Sequence, residues 1–296
     1  MGIIDDIKYN IRIGNTLLRL IYLNVGVFLA VNIISLLATL FGFKESWYTL
    51  STHLLYMPSN LNELITHLWT ILTYMFMHAD IWHILFNMLW LYWLGQIFLI
   101  YLNSRQLITV YLMGGFAGGG LYLLIYNIFP SFELFRYGSY LVGASASVMA
   151  VVFAIATVAP EYVVHLFVIG PVRLKYIALA TLIIDLISIQ YSNAGGHIAH
   201  LGGALLGYVF GLRIRKGSDI TAWFSNIFLK KPSLFRRKSK MKIMYRRPPV
   251  NDLDYNQEKA EIQKEIDRIL DKIAQHGYDS LTRKEKEFLF KAGRHE

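Results

Sequence analysis

The chain has 296 residues, of which 55% are hydrophobic and 17% charged, with a formal net charge of +9 and no cysteine. Soluble globular chains run at about 45–50% apolar and about 25% charged, so this balance excludes an ordinary water-soluble domain and points to repeated membrane crossing. Without cysteine there is no disulfide framework, no thiolate nucleophile and no thiolate metal site.

Residues 1–19 mix Asp5, Asp6, Lys8, Arg12 and Arg19 and hold no short apolar core ending in a small-residue cleavage site. They are read as a cytoplasmic segment, not a signal peptide. The first span is expected over Leu20–Gly42, since crossing the hydrocarbon core takes about 20 residues. From Phe43 to Leu68 the chain turns wetter, with Lys44, Glu45, Asn60, Asn62 and Glu63, yet keeps Trp47, Tyr48, Leu54, Leu55 and Tyr56. That mixture suits the membrane interface. A second span is expected over Ile81–Leu102, with Asp80 as its N-cap. The third, Gln106–Phe129, centres on Gly114, Gly115, Gly118, Gly119 and Gly120, small residues that let membrane helices approach closely. The fourth starts at Ser145 and ends near Val158; a helix so short leaves its first residue below the membrane surface. The fifth is expected over Leu174–Ile189 and the sixth over His197–Leu212. The predicted architecture is an all-α membrane protein with a six-span domain over 20–215.

Six spans place both termini on one side. Lys8, Arg12, Arg19, Arg105, Arg173, Lys175, Arg213, Arg215 and Lys216 fall on that side, and only Lys44 and Arg136 on the other. The excess of Lys and Arg assigns the termini to the cytoplasm and the start of the fourth span to the outer half of the membrane. Residues 216–296 are expected as a cytoplasmic tail. Its stretch 230–247 carries Lys230, Lys231, Arg236, Arg237, Lys238, Lys240, Lys242, Arg246 and Arg247. So close to a span, these cations are read as contacts to anionic lipid, worth about 1 kcal/mol each, and not as a nucleic-acid site. After Pro248 and Pro249, residues Ile262, Ile266, Ile269, Leu270 and Ile273 within Asn256–Gln275 repeat at helical spacing. Gly277 suits a C-cap, and Thr282 to Glu285 has the spacing of a capping box, so the tail is expected to end in a helical hairpin.

Polar side chains at membrane depth are costly and need a reason. Ser145 sits between small residues, Gly143-Ala144 before it and Ala146 after it. That allows a sharp loop-to-helix entry, and the free N–H groups at a helix start are natural oxyanion donors. His200 precedes Gly203 and Gly207, whose small-xxx-small spacing lets its helix press against a neighbour and bring the imidazole to the serine as a base. His83 and Asn87, four apart, share one face of the second span at the same depth and suit side-chain oxyanion donation. His78, just before that span, is read as structural, holding the outer loop down.

Taken together, Trp69, Tyr74–His78, His83 and Asn87 resemble the H-x4-H-x3-N segment of rhomboid intramembrane serine proteases of bacterial type. Gly143-Ala144-Ser145 resembles their G-x-S element. Ala199-His200-Leu201-Gly202-Gly203 followed by Gly207 is similar to their A-H-x-x-G-x3-G helix. The likeness covers about residues 17–215. It implies a Ser–His dyad without cofactor or metal, in which Ser145 attacks a membrane-anchored substrate near the outer membrane face and His200 moves the proton. His83, Asn87 and the Ser145 N–H would hold the oxyanion. It also implies a multi-pass protein of a bacterial cytoplasmic membrane. Departures are Ala146 where the family often has Gly, Met149 where it often has an aromatic residue, and Trp69-Thr70 where it often has Trp-Arg. Asp185, in the fifth span, is read as a structural hydrogen-bond partner and not as a third catalytic group.

Two other readings compete. A metal or haem site could draw on His78, His83, His197 and His200, but H-E-x-x-H is absent and Ser145 is left unexplained. A non-catalytic rhomboid-like protein binding transmembrane clients would fit the soluble tail, and the intact Ser145–His200 pair argues against it.

Overall fold

The computed structural model describes residues 15–166, 169–191, 193–224 and 252–292, which form two compact units dividing between Lys231 and Pro232. The first unit has a helix at each of the six positions expected to be spans. Helix α1 is Thr16–Leu40, where Asn15 caps the start by accepting from the Leu18 N–H at 3.2 Å. Between it and the next long helix the interfacial segment folds as α2, Lys44–Leu55, α3, Leu61–Thr66, and the single turn α4, Thr70–Thr73. Helix α5 is Ile81–Tyr101 and α6 is Ser104–Ile128, opened by a reciprocal capping box between Asn103 and Gln106. Then come α7, Ser145–Val158, α8, Leu174–Ser188, and α9, Ala194–Arg215.

Helices α1, α5 and α6 are long and apolar enough to cross a membrane. Helix α7, with 14 residues, reaches only about 21 Å at 1.5 Å per residue. On α1, Leu29, Ile33, Leu36, Leu37 and Leu40 are exposed, as are Ile183, Ile184 and Ile187 on α8. Such continuous apolar surface is an aggregation hazard in water and a proper surface in lipid. One buried polar network crosses the core. The Asn24 amide donates to the Tyr111 hydroxyl at 3.1 Å, and that hydroxyl reaches the Met75 carbonyl at 3.1 Å, tying α1 and α6 to the turn before α5.

The all-α expectation needs correcting in two places. Strand β1, Met57–Pro58, pairs antiparallel with β2, Tyr140–Leu141. Strands β3, Val163–Leu166, and β4, Gly170–Arg173, form a second ribbon between α7 and α8. The first ribbon joins segments some eighty residues apart and spans two residues each, too short for an alternating pattern. Its effect is to fix the chain just ahead of Ser145. The Ser59 hydroxyl donates to the Arg136 carbonyl at 2.8 Å, and the Tyr140 hydroxyl donates to Glu63 at 2.9 Å.

Past α9 the chain folds back along α6. The Gln106 amide donates to Asp219 at 2.8 Å, and the Phe224 ring lies 6.1 Å from Phe116. The second unit holds α10, Asp252–His276, and α11, Arg283–Ala292. Gly277 ends α10 with φ 77°. Thr282 and Glu285 make the expected box, with the Thr282 N–H donating to Glu285 at 2.7 Å. Lys272 reaches the same carboxylate at 3.1 Å, joining the two helices. The basic stretch 230–247 and residues 1–14 lie outside the described residues.

Candidate active site

The chain enters α7 through a turn that only glycine fits easily. Gly143 has φ +132°, a conformation L side chains rarely adopt. A Cβ placed there would stand 2.8 Å from the His83 ring atoms Cε1 and Nε2 and 3.4 Å from Ser145 Oγ. The absent methyl therefore marks where Ser145 and His83 come together. The Gly143 N–H donates to the Tyr74 carbonyl at 3.0 Å, and the Tyr74 hydroxyl donates to Gly115 on α6 at 2.6 Å, which anchors the turn. Ser145 is the first residue of α7, and Ala144 before it provides no side-chain cap. The first N–H groups of α7 are thus left without intrahelical partners, as at any helix start.

Helix α9 meets α7 backbone to backbone. A methyl on Gly203 would run into the Ala146 carbonyl, and one on Gly207 into the Ala150 carbonyl. This close approach, expected from the glycine spacing, lays the His200 turn beside the start of α7. Ala146 directs its methyl toward Gly118 of α6. A cavity of about 650 Å3 is lined by Ser145, His200, His83, Asn87, Met149, Tyr140 and Asp185 among others. All four of the residues expected to carry the chemistry thus face one space.

On α5, Asp80 caps the helix by accepting from the His83 N–H at 2.9 Å. His83 Nδ1 accepts from the Ala79 N–H at 3.4 Å, which places the ring proton on Nε2, the atom facing Gly143. The Asn87 amide gives one hydrogen to the His83 carbonyl at 2.9 Å and keeps a second for the cavity. His78 is buried, with its ring edge-on to Phe28 of α1 at 6.5 Å and to His83 at 5.2 Å, and neither of its ring nitrogens has a hydrogen-bond partner among the described residues.

What the sequence reading did not foresee is the partner of Asp185. This carboxylate is 5% exposed. Its Oδ1 lies 2.7 Å from His197 Nδ1 and 2.8 Å from His200 Nδ1. The structural bond expected of a mid-span acid is made with the expected base itself. The sequence shows a mid-span acid in need of a partner, and two histidines at i and i+3 on a face of the next span, but not that the two meet. Among the described residues these three also form a group whose ligand atoms lie within 4.8 Å of one another. Their N–O separations of 2.7 and 2.8 Å are hydrogen-bond lengths. Two ligands on a tetrahedral zinc at 2.0–2.1 Å would stand about 3.3 Å apart. His78 and His83 do not join this group.

The model of the Rhomboid domain matches residues 66–217, which takes in α5 through α9 and every residue of the cavity named above. The chain belongs to the rhomboid family. Rhomboid proteins are generally intramembrane serine proteases, and the apolar helices here fit an integral membrane protein. A curated relative, RHOMBOID-like protein 12, mitochondrial, of Arabidopsis thaliana, is 28% identical over 157 residues, covering 50% of this chain and 47% of that protein. The chain thus spans about half the length of that rhomboid relative. A second model, of a family of unknown function, matches residues 251–291, the segment of α10 and α11.

Proposed function

We propose that this rhomboid-family chain is an intramembrane serine endopeptidase that cleaves membrane-anchored protein substrates near the outer membrane face, using Ser145 and His200 as a dyad. The observation that carries the reading is the shared cavity: nucleophile, base and two oxyanion donors reach it from α5, α7 and α9. Ser145 Oγ attacks the scissile carbonyl carbon as His200 Nε2 takes its proton. His83 Nε2–H, the free Asn87 amide hydrogen and the Ser145 N–H receive the oxyanion, and each such donor is worth about 2.7–4 kcal/mol. The C–N bond breaks as His200 returns the proton to the leaving amine. Water, deprotonated by His200, then releases the acyl group from Ser145.

In this reading residues 20–215 form a six-span protease domain, with α7, α8 and α9 completing the crossings begun by α1, α5 and α6. The charge distribution puts both termini on the cytoplasmic side. Residues 216–296 form the cytoplasmic tail, and the cations of 230–247 contact anionic lipid. The test is cleavage of single-span reporter proteins by the full chain in proteoliposomes. Wild type should cut, and Ser145→Ala and His200→Ala should not. Equal cutting by Ser145→Ala would remove the mechanism. Binding of reporters without cutting by any form would favour a non-catalytic client-binding role.

A further inference from the structure

We propose that Asp185 is a positioning residue for the base, holding His200 in the one tautomer and orientation that can accept the Ser145 proton; this rests on the protease reading above. A neutral imidazole carries its proton on either ring nitrogen, and the bond made by one nitrogen decides the role of the other. A carboxylate accepts hydrogen bonds and cannot donate them. With Asp185 Oδ1 2.8 Å from His200 Nδ1, the ring proton is held on Nδ1. Nε2 is left with a lone pair, and His200 lines the cavity that Ser145 lines. A ring free to rotate or to exchange tautomers would offer Ser145 an N–H in part of the population and no acceptor.

Two features argue that the carboxylate does more than fasten one helix to the next. Helix α8 buries only Leu174, Ile177, Ala178 and Asp185, so a charge was placed where an apolar contact would have served. The same oxygen also takes the Nδ1 of His197 at 2.7 Å. With His197 and His200 both donating, the carboxylate is held from two sides and has no freedom to swing away. When His200 gains the serine's proton, the neighbouring negative charge stabilises the cation, the role of the third member in soluble serine triads.

The test compares wild type, Asp185→Asn and Asp185→Glu in detergent, with the full chain and a fluorophosphonate probe that reports nucleophile activation without substrate docking. An asparagine can turn its NH2 toward Nδ1 and favour the wrong tautomer. Asp185→Asn should slow labelling by at least about 100-fold, the low end of what a positioned general base contributes, with partial recovery in Asp185→Glu. Reporter cleavage should lose kcat at unchanged KM. The 15N resonances of His200 should show the Nδ1–H tautomer in wild type and a mixture in Asp185→Asn. Wild-type labelling rate in folded Asp185→Asn, alongside no labelling of His200→Ala, would overturn the positioning role and leave the dyad intact. A lowered melting temperature with unchanged tautomer and kcat would reduce Asp185 to a helix tie and also overturn it. Wild-type protein that takes no label would overturn the protease reading and this proposal with it.

Discussion

Adding one methyl at Gly203 should move His200 away from Ser145, the pair proposed as base and nucleophile. The glycine faces the Ala146 carbonyl on α7, and a Cβ built on it stands 2.8 Å from the Ala146 carbonyl carbon. Non-bonded carbons settle at about 3.5–4.0 Å. Both partners are backbone, so no side chain can turn aside, and α9 must retreat from α7 by about 1 Å at this contact. His200 lies one turn before Gly203 and moves with it. A displacement of about 1 Å at a reacting pair costs roughly 100-fold in rate, and overpacking of this kind costs about 1–3 kcal/mol of stability. Gly203→Ala should therefore label with fluorophosphonate about two orders of magnitude more slowly, with a melting temperature several degrees lower. Gly120→Ala is the control: a Cβ there meets nothing within 4 Å, so labelling should keep the wild-type rate and the melting temperature should not fall, alanine being the better helix former. Wild-type labelling by Gly203→Ala would refute the claim that this glycine contact sets the dyad.

Three further outcomes follow from the same geometry. Asn87→Ala should lower reporter cleavage about 10²–10³-fold and leave measurable activity, since His83 and the Ser145 N–H remain as donors; complete loss would show that Asn87 does more than donate. Asp80→Ala removes the cap on the His83 N–H and should destabilise the protein by about 0.5–2 kcal/mol, read as a lower melting temperature that Asp80→Asn largely restores. In the second unit, the Thr282 backbone N–H and hydroxyl, followed by Lys272, hold the Glu285 carboxyl down to about 2, below its ordinary 4.5. A depressed folded value means that the stabilisation is whole above the unfolded value and is lost as pH falls through the folded one. The extra amide-exchange protection of α11 in wild type over Glu285→Gln, measured in the full chain, should be full above about pH 4.5 and gone near pH 2. A difference that does not change across that window would contradict the capping role.

Local chemistry was legible in the sequence and distant pairing was not. Asp80 before Ile81, Thr282 three before Glu285, and Gly277 after a helical period each act on neighbours within four residues, and each does in the structure what its spacing implied. Helix α1 starts four residues before the expected Leu20 because Asn15 caps it; α9 starts three before His197 because Asn193, at φ 47°, caps it. The glycines of α9 announced a close helix contact, and Gly203 and Gly207 meet the backbone of α7. What stayed hidden depends on residues far apart in the chain. Tyr140 opposite Pro58 is a contact set by the tertiary fold. The short β3–β4 ribbon has too few residues for alternation to stand out. Asp185 showed that it needed a partner, yet nothing local to it names His197 or His200 on another helix.

The proposed mechanism requires Ser145 to be an activated nucleophile. The most direct measurement is mass spectrometry of the purified full chain after fluorophosphonate treatment, with His200→Ala treated in parallel. One adduct is expected in wild type, on the peptide carrying Ser145, and none in His200→Ala. No adduct in folded wild type, or an adduct on Ser145 that forms equally well without His200, would contradict it.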